Sequence, residues 1–92
     1  MNRGDLARRL DDAFDATTGE RRVVARAAGD LADAGRYAAD AGVDLTADVV
    51  VVNLADAPEN YPLVERWNWW MGALEMAYGG YDQFQVRRWR EE

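Results

Sequence analysis

Apolar residues recur at helical spacing along most of this chain, and each run ends at a residue that caps or breaks a helix. That pattern confines the fold to packed helices. Leu6, Ala7, Leu10, Ala13 and Phe14 form the first stripe, over residues 2–15, with Asp5, Arg8, Arg9, Asp11 and Asp12 on the other side. Asp5–Arg9 and Arg8–Asp12 have the i,i+4 spacing of helical ion pairs. Thr17-Thr18-Gly19-Glu20 then matches the T-x-x-E capping box, in which the hydroxyl and the carboxylate each satisfy a free backbone N–H. The spacing predicts a second helix over residues 18–41. Its inner stripe is Val23, Val24, Ala27, Ala28, Leu31, Ala34, Gly35 and Ala38, and Arg22, Arg26, Asp33, Arg36 and Asp40 form its wet face. A stripe this small lets a neighbouring helix come close. Gly42 suits the C-cap.

The four valines from Val49 to Val52 favour a strand by propensity. Thr46 as N-cap, Asp48 in the first turn and Asn53-Leu54-Ala55-Asp56-Ala57 before Pro58 favour a helix. As a helix this segment would be apolar most of the way round and therefore central. As a strand its one available partner is Gln83 to Arg87, and a two-stranded parallel sheet is marginal. The helix is preferred. Pro62 opens the last helix, whose stripe is Leu63, Val64, Trp67, Trp70, Met71, Leu74 and Tyr78, and Gly79-Gly80 ends it. The tail from Tyr81 onward reads as either a short helix or an extended segment. The expected fold is a compact all-α domain over residues 1–92, with four helices and, as an option, a short fifth C-terminal element. The alternative is α+β, with a short strand beginning at Val49 and ending at Asn53.

Composition suggests the solvent. All 11 Lys+Arg positions are Arg, against 17 acids, for a net charge of -6. In molar salt the Debye length falls to about 3 Å, so a dense carboxylate surface barely repels itself. Lysine would spread a four-carbon stem over that surface, whereas arginine makes bidentate pairs with carboxylates. A GC-rich genome explains the missing lysine but not the acidic excess. The chain therefore reads as halophilic, from a cytoplasm that is itself concentrated salt. It lacks the apolar run of a signal peptide or of a membrane span.

The absent residue types also narrow the chemistry. With no His, Cys, Ser or Lys, the common general bases, nucleophiles and Schiff-base amines are missing. Tetrahedral zinc sites lose their preferred ligands, and a Glu-x-x-His di-metal site cannot be written. Carboxylate pairs such as Asp11/Asp15 and Asp30/Asp33 carry little information on so acidic a surface. No catalytic residue, cofactor or metal ligand is expected, and the protein is not expected to be an enzyme.

Function is therefore sought in the aromatic C-terminal half, where eight of the ten aromatic residues lie between Tyr61 and Trp89. In Arg66-Trp67-Asn68-Trp69-Trp70-Met71, Trp67 and Trp70 fall on the main stripe. At about 100° per residue Trp69 does not. It points away with Ala73 and Met76 beside it, either as a second buried side of a central helix or as an exposed patch. Trp and Met are enriched in interface cores. The favoured role is accordingly a small adaptor or assembly protein that binds a protein partner, or itself as a homo-oligomer, through Trp69, Ala73 and Met76, with Arg88 and Trp89 at the rim. One alternative is a nucleic-acid contact through Arg87, Arg88, Trp89 and Arg90, with Arg8-Arg9 and Arg21-Arg22 adding charge. Phosphate contacts weaken steeply with salt, so this reading is disfavoured. A further alternative is an aromatic pocket for a planar or cationic ligand near Tyr61, Arg66 and Asn68.

Overall fold

Three of the helices begin where an N-cap side chain satisfies a first free amide. Asn2 Oδ1 accepts from Asp5 N at 2.9 Å, and Thr46 Oγ1 accepts from Val49 N at 3.2 Å. Thr17 and Glu20 form the complete capping box. The structure is a computed structural model and describes residues 1–89. Its helices are α1 (Arg3–Ala13), α2 (Thr18–Asp33), α3 (Arg36–Ala41), α4 (Ala47–Ala55) and α5 (Leu63–Tyr78), followed by a 3₁₀ turn at Asp82–Phe84. The fold is all-α, with no strand among the described residues.

The alternative strand from Val49 to Asn53 lies inside α4. Local chemistry outweighs the propensity of the valines: Thr46 caps the helix, and Asn53 Nδ2 donates back to the Val49 carbonyl at 2.8 Å. The helix is not central, however. Ala47, Val50 and Leu54 turn inward, while Val52 is 63% exposed. The long second helix is also corrected, because it breaks into α2 and α3 at Gly35. Gly35 takes a left-handed conformation with φ 67°. It lies exposed rather than on the inner stripe, and Ala34 is exposed with it. Glycine adopts that conformation at no steric cost, so the chain turns there and brings Tyr37 into the core.

The expected i,i+4 pairs on α1 are replaced. Arg8 pairs with Asp5 one turn back at 3.2 Å, and Arg9 reaches across to Asp48 on α4. Arg3 lies over Gly29 and pairs with Asp30 and Asp33 at 3.3 and 3.2 Å.

Leu6 and Leu10 of α1, Val24, Ala28 and Leu31 of α2, Val50 and Leu54 of α4 and the inner stripe of α5 form one hydrophobic core. Trp67 is wholly buried, and its ring meets Trp70 edge-on at 5.6 Å. Trp70 in turn meets Tyr37 at 5.6 Å. Truncating a ring such as Trp67 to alanine removes on the order of 3–5 kcal/mol. Among the described residues no helix is long and apolar enough to cross a membrane.

Candidate protein-docking face

Helix α5 has two unlike sides because its buried stripe occupies only part of its circumference. Leu63, Val64, Trp67, Trp70, Met71 and Leu74 face the core. Trp69 points the opposite way and is 37% exposed, and Met76, two turns on, is 90% exposed. Gly72 and Ala73 lie between them, and a Cβ added at Gly72 would meet nothing within 4 Å. The outward side is therefore a low ridge with a bulky group at each end and small residues in the middle. From Trp67 to Leu74 it carries no charged residue, in a chain that is 30% charged. Glu65 is the one acid on that side near Trp69. Tyr78, expected on the inner stripe, is instead 49% exposed.

The neighbours of Trp69 in the sequence are used differently. Trp67 Nε1 donates to the Phe84 carbonyl at 2.9 Å. Asn68 holds Val86 by both backbone groups, donating to its carbonyl at 2.9 Å and accepting from its amide at 2.8 Å. These contacts hold the ambiguous tail as a 3₁₀ turn at Asp82–Phe84 that leads through an extended Gln85 into residues 86–89, which have no regular secondary structure. Trp70 completes the ring cluster with Trp67 and Tyr37. Among the described residues the Trp69 side chain makes no hydrogen bond or ring contact. Of Trp67-Asn68-Trp69-Trp70, three side chains are used inside the molecule and one is left facing out.

A group that sequence reasoning treated as surface fixes where the tail starts. Arg36 donates to the Gly79 carbonyl at 2.8 Å, and Tyr81, fully buried, donates its hydroxyl to Asp40 at 2.8 Å. Burial first, and then the bond to Asp40, push the Tyr81 phenol well above its ordinary range. The Glu75 carboxylate accepts from the Gly80, Tyr81 and Asp82 amides at 3.1, 3.0 and 2.8 Å. These amides, Asp82 foremost, hold it below the usual carboxylate range. The Gly79-Gly80 signal could have pointed to this site, because both residues take positive φ and free three successive amides to point one way.

Arg66, a proposed pocket residue, is a structural staple. Its guanidinium donates to the carbonyls of Leu54, Glu59 and Tyr61 at 3.0, 2.8 and 2.8 Å, and it stacks over Phe14 at 5.1 Å. Trp67 and Trp70 are packed solidly, so the space beside the aromatic cluster lies at Trp69 instead. It is a shallow groove of about 410 Å³ lined by Tyr61, Glu65, Asn68 and Trp69.

Arg88 and Trp89 are exposed. Arg88 lines a cleft with Val23, Arg26, Ala27 and Asp30 of α2. Among the described residues no ring contact or hydrogen bond joins either residue to Trp69. The arginines of the nucleic-acid alternative are interspersed with acids: Arg87 pairs with Asp82 at 2.9 Å, Arg21 with Asp11 at 3.1 Å, and Arg9 with Asp48. Arg90 lies outside the described residues.

Residues 1–75 match the family described as the WNWW domain, and the chain belongs to that family. The description spells the residues that stand at 67–70. No curated protein and no solved structure matches the chain.

Proposed function

We propose that this WNWW-domain protein is a non-enzymatic adaptor of a salt-rich cytoplasm that docks a helix of a protein partner on the outer side of α5. One observation carries the reading. Trp69 is turned out of a motif whose other three residues are satisfied internally, and it shares an uncharged ridge with the almost fully exposed Met76. Gly72 and Ala73 leave room for a partner helix to lie near the short end of the usual 8–10 Å spacing. The indole at one end and the thioether at the other are groups of the kind that dominate interface energetics, worth about 2 kcal/mol or more when a hot-spot residue is truncated. An apolar contact of this kind survives molar salt, whereas phosphate contacts weaken in it.

The test is affinity purification from the native host at its own salt concentration, followed by binary binding of the recovered protein to the purified chain. Trp69→Ala and Met76→Ala should each weaken that binding at least tenfold while leaving the fold unchanged. A partner held equally well by both variants would refute the docking face. If light scattering in molar KCl gives a mass above the monomer that Trp69→Ala lowers, the docked helix is that of a second copy.

A further inference from the structure

The two other polar contacts of the motif recognise main chain only. Trp67 Nε1 meets the Phe84 carbonyl, and the Asn68 carboxamide meets the carbonyl and the amide of Val86. Residues 84 and 86 flank Gln85, whose backbone is extended, so the two residues it joins can present backbone groups to one side. Asn68 thus does for Val86 what the edge of a neighbouring strand would do, and the arrangement is a one-residue form of strand addition. Both clamp residues fall inside the matched family span and the segment they hold falls outside it.

We propose that Trp67 and Asn68 form an exchangeable main-chain clamp, which residues 84–86 of a second copy can fill in place of the chain's own. The tail is firmly anchored through Asp82 by Glu75 and Asp40 and more lightly beyond it. Among the described residues, no backbone–backbone hydrogen bond involves residues 86–89. Releasing the segment costs the three clamp bonds, the two backbone bonds of the 3₁₀ turn, the Tyr81–Phe84 ring contact and the burial of Val86. From the anchored Asp82, an extended chain carries Val86 roughly 13 Å outward, less than the 22 Å shortest dimension of the molecule. The exchange therefore requires two copies to meet with their clamps face to face, in the manner of a small domain swap. This clamp uses neither Trp69 nor Met76, so it stands or falls separately from the docking ridge.

The probe is a labelled peptide of residues 83–89, titrated by fluorescence anisotropy against the full chain in molar KCl. Binding is expected, and N-methylation of the peptide at the Val86 nitrogen should weaken it at least tenfold by removing the donor to Asn68. A Val86→Ala chain holds its own tail less well and should take the unmodified peptide roughly tenfold more tightly. If circular dichroism shows that variant misfolded, Phe84→Ala serves the same purpose. No peptide binding to the unaltered or tail-weakened chain, or equal binding of the N-methylated peptide, would overturn the proposal.

Discussion

Glu20 ties the start of α2 to the start of α5: its Oε2 accepts from the Val64 amide at 3.4 Å while Oε1 accepts from the Thr17 amide at 3.3 Å. Pro62, the N-cap of α5, offers that helix no side-chain bond of its own. Glu20 is the one buried charged residue among those described. Its charge faces two helix N-termini, where the backbone dipoles favour an anion.

Glu20→Ala should therefore destabilise the chain by about 2 kcal/mol, since it removes one cap and strips another. Glu20→Gln should cost about half as much, because glutamine can serve the capping box but brings no charge to α5. Denaturant melts in molar KCl measure both. Equal stability of all three proteins would remove the double-cap account.

Arg66 to lysine is not a conservative change here. The guanidinium meets three carbonyls from α4 and the following turn, and an ammonium on a flexible stem cannot match that fork. Arg66→Lys should cost about 2 kcal/mol, read as a lowered denaturation midpoint with native helix content. A midpoint unchanged from the parent would show that the three bonds contribute little.

Asn68 should control the tail without controlling the core. Asn68→Asp keeps an acceptor for the Val86 amide but places a carboxylate against the Val86 carbonyl. Loss of that hydrogen bond, worth about 1–1.5 kcal/mol, should speed amide exchange at Val86 roughly tenfold. Exchange at Leu10 and Leu31 should barely change. If exchange accelerates throughout the chain, Asn68 supports the whole fold and not the tail alone.

The turn after α5 should loosen in acid. The Glu75 pKa is held below its ordinary value of 4.5 in the folded protein, first by the Asp82 amide and then by that of Gly80. A depressed carboxylate pKa stabilises the fold fully above the unfolded value, and that contribution fades as pH falls through the folded value. Protection of the Gly80, Tyr81 and Asp82 amides, taken as their exchange relative to the intrinsic rate at each pH, should therefore fall below about pH 4.5. Glu75→Gln should flatten that dependence. The effect is modest, because the carboxylate is solvent-exposed and screened.

Local signals made much of this architecture legible. The Thr17–Glu20 box, Thr46, Gly42 and Gly79-Gly80 act through backbone groups a few residues away, so their effects can be read from spacing. The inner stripe of α5 was readable for the same reason, since Trp67, Trp70 and Met71 lie on one side of any helix through them. Gly35 was misassigned because a glycine within an apolar stripe also fits a continuous helix. Only the packing of Tyr37 against Trp70 shows that the chain must turn there.

The sequence by itself determined that the chain is helical, where most helices start and stop, and that Trp69 cannot share a side with Trp67. These follow from backbone hydrogen bonding and a 3.6-residue repeat, which need no distant partner. Tertiary structure alone decided that Trp69 and Met76 remain uncovered, that α4 lies at the edge, and that Asn68, Arg66, Glu75 and Arg36 serve backbone groups far from or just beyond their own helices. Such roles depend on which polar groups the packed core leaves unpaired, and that is set only once the helices have closed on one another.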